Sequence, residues 1–330
     1  MIYEYALQPS LVVDWADQNT GRFVGQFGMD QRRLVSEFPN DWAGEVYSEA
    51  LSRFDYDDRD PGFLNLKSVL EAFIQVLSDC MIPRKINSQS NWISDVLNEH
   101  RVRPFHAIFV SERPSESPPE VITEKDIDNL HDKRWYLPTI KTTPKSSEQI
   151  AESLLPFLRG ARKLILVDPY FDPEVTRFKD TLTAMVNKIT KFRNVTGLPD
   201  LIIITSAEQK HKLSEGEFTL IQKNNVAGNL YRKAEDHLAK LIPNNWNISF
   251  IVTSEVCGGD ASHNRYLLSD IGGVVIPFGA DDFTRNPTLN VDDDIVLMPK
   301  GMFDKRWQQY SKFDPARVVG NILQIKGQKT

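Results

Sequence analysis

The apolar positions of this chain change their period about halfway along. Over roughly the first 145 residues they recur mostly at three- and four-residue intervals. The clearest cases are WAGEVYSEAL (residues 42–51) and FLNLKSVLEAFIQVLSDCM (residues 63–81), both spaced as amphipathic helices are. Pro83 is expected to stop the second of these. A third helix is expected over residues 91–100, running into FHAIFV (residues 105–110), an apolar run prone to form a strand. SERPSESPPE (residues 111–120) is polar and proline-rich and reads as a surface loop. The pattern predicts a mainly helical N-terminal domain, residues 1–145, suited to docking on partner subunits.

From residue 146 helices and strands alternate. Ser146 and Gln149 are spaced as a capping box opening the helix EQIAESLLPFL, which ends near Gly160. KLILVDPYF (residues 163–171) is a short continuous apolar run, as a strand buried on both faces requires. A helix through FKDTLTAMVNKI, the strand LIIIT (residues 201–205), a helix over about residues 217–241 and the strand ISFIVT (residues 248–253) follow. YLLS and VVIPF then flank the Gly272–Gly273 turn. Residues 146–330 therefore predict an α/β domain with a mixed sheet, closed by a C-terminal helix over MFDKRWQQY. In that helix Phe303, Trp307 and Tyr310 fall on one stripe.

Composition adds limits. A chain of 330 residues suits two domains, and 41% hydrophobic with 25% charged residues is ordinary for a globular protein. A net charge of −6 excludes a wholesale basic surface, so nucleic-acid binding requires a local patch. MIYEYALQPS lacks the pattern of a signal peptide, and no window reaches the roughly 20 apolar residues of a membrane span. The expectation is a cytoplasmic protein without a transmembrane segment. Cys80 and Cys257 stand far apart with no CxxC, which points to neither zinc nor a disulfide framework.

The candidate chemistry lies in His263-Asn264-Arg265-Tyr266-Leu267-Leu268-Ser269-Asp270. On a strand, His263 and Arg265 share one face and Tyr266 and Leu268 the other. A guanidinium beside an imidazole suits phosphate, the cation holding oxygens while a neutral imidazole nitrogen attacks phosphorus. Asp270 has the other parity. It reaches the site if the strand bends, or it caps the turn.

These residues resemble the H-x-K-x4-D motif of the phospholipase D superfamily, with Arg265 in place of lysine. LILVDPYF resembles the run that ends the family's first strand, and Gly279-Ala280-Asp281-Asp282 resembles its G-S-x-N turn. The resemblance covers about residues 146–283. HNRYLLSDIGG is similar to H-x-R-Y-L-L-T/S-x-x-G-G segments of uncharacterised bacterial proteins from mobile-element and phage-defence neighbourhoods. It implies a site in which His263 is the nucleophile, Arg265 the phosphate clamp and Asp270 the residue that orients it. Asp168, Gly279 and Asp282 would line the binding pocket, without metal or cofactor. Three departures bear on activity: Arg265 for lysine, Ala280 without a hydroxyl, and Asp282 where the family offers an amide. An active site of this family uses two histidines, so one motif per chain implies a homodimer if the protein is catalytic.

Other residues carry blander expectations. His131-Asp132-Lys133 reads as an exposed loop, and His106 as a core or edge histidine. Tyr170 and Phe171 read as packing residues, and Asp292-Asp293-Asp294 as a solvated loop rather than a cation site. Lys210-His211-Lys212, Arg232-Lys233, Arg101 and Arg103 read as salt-bridged faces rather than a phosphate-tracking patch. The expected function is a phosphate-recognising component of a bacterial defence-type complex, associated with nucleic acid and with protein partner subunits, and non-catalytic or conditionally active. The alternatives are a metal-independent homodimeric nuclease using His263, and a structural scaffold.

Overall fold

The computed structural model describes residues 1–18, 20–53, 61–84, 91–128, 131–193, 195–208, 219–254, 264–284, 291–312 and 314–329. The chain divides into two compact units. One spans Ile2–Pro138, the other Thr139–Arg193 together with Gly197–Thr330.

The first unit is α/β rather than mainly helical. Its elements are β1 (Tyr3–Leu7), α1 (Pro9–Asp17), β2 (Arg33–Glu37), α2 (Trp42–Arg53), α3 (Pro61–Ser78), β3 (Met81–Pro83), α4 (Trp92–Val102), β4 (Ala107–Phe109), β5 (Val121–Ile122) and α5 (Glu124–Ile127). The strands form one parallel sheet in the order β3-β2-β1-β4-β5. Tyr5, Leu7, Val35 and Phe109 pack with Trp15, Trp42, Val46 and Leu70 from α1, α2 and α3. Ala6, Ile108 and Val110 pack with Val96 of α4 in a separate cluster. Helices therefore cover both faces, as a parallel sheet demands.

The three helices expected here are present, and the expected strand survives as β4. Pro83 does not stop α3, which ends at Ser78; it closes β3 instead. The sheet was hidden because its strands are short and carry polar residues inside. Ser36 donates to Glu4 Oε1 at 2.9 Å. Arg84 joins Glu4 at 2.9 Å and Glu99 at 2.5 Å, donates to the Arg103 carbonyl at 2.8 Å, and lies 3.8 Å from the centre of the Phe105 ring. Each partner comes from elsewhere in the chain, so no local window shows that Glu4 and Ser36 face inward.

The second unit begins earlier than residue 146. β6 (Ile140–Pro144) runs antiparallel to β12 (Asp292–Leu297), so Thr139–Lys145 belongs here. Between them come α6 (Ser147–Gly160), β7 (Lys163–Val167), α7 (Thr176–Phe192), β8 (Asp200–Ser206), α8 (Leu220–Leu238), β9 (Asn247–Thr253), β10 (Tyr266–Ser269) and β11 (Gly272–Val275). After β12 come α9 (Lys300–Ser311) and β13 (Leu323–Lys326). The eight strands form a mixed sheet in the order β13-β9-β8-β7-β10-β11-β12-β6, in which β7, β8 and β9 are parallel. β7 and β8 sit side by side in the interior, as their unbroken apolar runs predict.

The Ser146 hydroxyl accepts from the Gln149 amide and caps α6. In α9, Phe303 is buried and stacks on Trp307, and Tyr310 lies 6.2 Å from Tyr266. The acidic run is a strand, not a loop: within β12 Asp293 is buried while Asp292 and Asp294 are exposed. No helix among the described residues is long and apolar enough to cross a membrane.

Removing one partner from a buried ion pair leaves an uncompensated charge, which costs about 3–5 kcal/mol. Arg84→Ala leaves Glu4 buried without its cation, while Glu99 keeps Arg103 at 2.8 Å, and is expected to destabilise the first unit by about that much. Urea unfolding of the variant at neutral pH checks it; a loss below about 1 kcal/mol, the scale of a surface pair, contradicts it.

Candidate functional site

Strand register creates the centre of the site. Tyr266 pairs with Val167 across β10 and β7, and Ser269 with Leu164. Extending that ladder one residue sets Arg265 opposite Asp168, at the carboxyl end of β7. Arg265 Nε lies 3.5 Å from Asp168 Oδ1. Its Nη1 donates to the Pro277 carbonyl at 2.5 Å, and the guanidinium sits 4.8 Å from the centre of the Tyr170 ring. Tyr170 is thus a platform for Arg265 and more than packing.

Gly279 closes over this pair with φ +83°. A Cβ there would come within 2.8 Å of both Arg265 Cδ and Asp168 Oδ2. The position therefore needs glycine both for its left-handed backbone and for the close approach.

The same ladder carries Asp270 away. It lies at the opposite end of β10, where its Oδ1 accepts from the amides of Arg162 at 2.9 Å and Lys163 at 3.2 Å. The strand does not bend, so the expectation of Asp270 as a site residue is corrected: it caps the start of β7. Asp282 is also used elsewhere. Its Oδ2 accepts from the Ser147 amide at 2.8 Å, at the amino end of α6, and its Oδ1 from the Thr284 amide at 2.8 Å. Burial would raise its pKa, but these hydrogen bonds outweigh it and hold the carboxyl below its ordinary value. His263 lies outside the described residues, as do Lys210-His211-Lys212.

A cavity of about 320 Å3 opens here, lined by Arg265, Asp168 and Tyr170 and by three residues the sequence did not single out: Lys145, Arg177 and Phe283. Lys145 is buried. Its ammonium donates to the carbonyls of Phe278 at 2.7 Å and Gly279 at 3.1 Å, and to Asp281 Oδ1 at 2.7 Å. Three acceptors saturate its three N–H groups, so Lys145 contributes charge and loop placement rather than a free donor. Arg177, in the first turn of α7, pairs with Asp281 at 3.2 Å and is partly exposed. Local sequence gives no sign of either role, since Lys145 precedes a helix cap and Arg177 lies in a polar helix start.

The cavity holds three cations and two carboxylates, and one carboxylate has a raised pKa. Burial pushes the Asp168 carboxyl up to about 6; the Tyr170 amide and Arg265 oppose this and Asp281 adds to it. Its Oδ2 is buried with no hydrogen-bond partner among the described residues. No group of three metal-ligating side chains occurs among the described residues.

The remaining expectations fall elsewhere. His106 packs against the rings of Tyr3 and Tyr5, and burial lowers its pKa to about 4. His131 is exposed. Lys233 pairs with Asp172 and Glu174, Arg103 with Glu99, and Arg232 and Arg101 each donate to a nearby asparagine.

No protein-family model and no curated protein matches the chain. Among solved structures it is similar to FprA from Mycobacterium tuberculosis, at 13% identity and a TM-score of 0.17, covering all of this chain and 70% of that one. A second FprA structure, of an oxidoreductase with covalently modified NADP+, gives 13% identity over the same shares and a TM-score of 0.18. TM-scores this low establish neither fold nor function.

Two outcomes test this geometry. The folded pKa of Asp168 lies above its unfolded value of 3.8, so its contribution to stability is full below that value and is lost as the pH rises through about 6. Asp168→Asn is expected to flatten that fall, measured as urea midpoints across the same pH window. Gly279→Ala is expected to destabilise the second unit by about 1–3 kcal/mol, read from the same unfolding curves.

Proposed function

We propose that the second unit is a phospholipase D-like, phosphate-recognising module, working within a bacterial defence-type, nucleic-acid-associated complex and non-catalytic or conditionally active. One observation carries the reading: the Arg265 guanidinium is fixed by Asp168, the Pro277 carbonyl and the Tyr170 ring at a pocket that also contains Arg177. A guanidinium so held keeps N–H groups for a planar, bidentate contact with phosphate and loses little freedom on binding. Arg177, exposed at the same pocket, supplies a second cation, and the buried charge of Lys145 offsets Asp281. The departures of this sequence from the family motif favour binding over cutting.

A second reading is favoured by the Asp168 carboxyl, whose pKa of about 6 lies in the range of a working proton donor. In that reading the protein is a homodimeric, metal-independent nuclease. His263 attacks phosphorus, and the leaving oxygen is protonated by the second copy of His263 or by Asp168.

Titration of labelled single- and double-stranded nucleic acid and of anionic liposomes, with cleavage followed on gels, separates the readings. Arg265→Ala is expected to weaken binding of the phosphate ligand by about 1–3 kcal/mol, through loss of charge-assisted hydrogen bonds. Arg265→Lys should retain part of the affinity. Cleavage that survives EDTA and vanishes in His263→Ala establishes the nuclease instead. Neither binding nor cleavage, with or without partner subunits, leaves the scaffold.

A further inference from the structure

A cavity of about 990 Å3 in the first unit has a composition unlike the rest of this acidic chain. Arg22, Arg32, Arg33 and Lys133 line it, and Asp128 is the one acidic residue among the described residues that do. Arg22, Arg32 and Lys133 make no ion pair among the described residues. The Nε atoms of Arg32 and Arg33 are buried without a hydrogen-bond partner among the described residues.

Arg33 is the most telling of the four. Its side chain is 5% exposed and packs over the Trp135 ring, 4.0 Å from the centre. It donates to the backbone carbonyls of Gln26, Gln31 and Trp135 and lies against the neutral Tyr5 hydroxyl, with no carboxylate in an ion pair with it among the described residues. Elsewhere in this unit the chain matches a buried guanidinium with carboxylates, as Arg84 is matched by Glu4 and Glu99. A buried cation without a counter-ion is costly, and an anionic ligand in the cavity would supply one. Arg32, the preceding residue, lines the same cavity and has a left-handed backbone at φ +63°, which few non-glycine residues adopt.

The walls add a flat apolar surface. The Tyr136 ring is 42% exposed at the cavity, and the Arg22 guanidinium lies 4.6 Å from the centre of the Phe23 ring. Several unpaired cations beside an exposed ring match a ligand with several phosphates and one planar base. The volume is at the upper end of the roughly 300–1,000 Å3 of small-molecule sites, and the net charge of −6 opposes tracking of a long polyanion. We propose that the first unit binds a nucleoside polyphosphate in this cavity, with phosphates on Arg22, Arg32 and Lys133 and the base against Tyr136.

The test is calorimetric titration of the full chain with ATP, GTP, CTP, UTP and inorganic triphosphate. Each is repeated on Arg265→Ala, so that any phosphate held in the second unit drops out. At least one nucleotide is expected to bind more tightly than triphosphate. Arg32→Asn, which suits the left-handed backbone while removing the charge, and Lys133→Ala should each weaken it about tenfold or more. Tyr136→Ala should weaken the nucleotide and leave triphosphate unchanged. Thermal melting confirms that each variant is folded. The proposal is overturned if no nucleotide binds below about millimolar, or if triphosphate binds as well as every nucleotide. Unchanged affinity in both charge variants, or tighter competing binding by single-stranded oligonucleotide, overturns it equally.

Discussion

Lys145 has three N–H donors and no exposed surface to spend them on, and the loop after β11 meets all three. A buried ammonium left unmet would cost several kcal/mol, so the loop has little choice of path. It must bring the Phe278 and Gly279 carbonyls and the Asp281 carboxylate to one point. That path is what lays Gly279 across Arg265 and Asp168 and sets Asp281 between Lys145 and Arg177. It also presents Asp282 to the amino end of α6. The binding pocket of the second unit follows from satisfying one lysine.

The other constraint is the ladder between β7 and β10. Antiparallel pairing fixes which residues face each other, and here it sets Arg265 against Asp168 at one end and Asp270 against the start of β7 at the other. A spacing of five along an extended strand separates side chains by roughly 17 Å at about 3.3 Å per residue. Asp270 therefore stabilises the strand that bears the site without taking part in it.

In the first unit the strands carry their polar residues inward and match them with partners far along the chain. Glu4, Ser36, Arg84 and Glu99 form one buried network spanning two strands, the end of β3 and α4. Arg33 is also buried, but against backbone carbonyls, the Tyr5 hydroxyl and the Trp135 ring. Two buried arginines in one unit thus meet different electrostatic surroundings, one closed by carboxylates and one by neutral groups.

The sequence alone determined the elements whose signal is local. Continuous apolar runs gave β7, β8 and β9, helical spacing gave α2, α3, α4 and α9, and Ser146 with Gln149 marked the start of α6. It also picked out Arg265 and, through the end of β7, Asp168, because strand parity and strand ends are properties of short windows. Tertiary structure decided the rest. It turned a stretch read as mainly helical into a parallel sheet, because short strands with paired polar residues lack any period. It moved the unit boundary back to Thr139, because β6 is exposed on much of its length and is recognisable only by its pairing with β12, some 150 residues away. It gave Lys145 and Arg177 their places in the pocket and removed Asp270 and Asp282 from it. A side chain's role in a site depends on which distant acceptors and charges share its space, and no local window contains them.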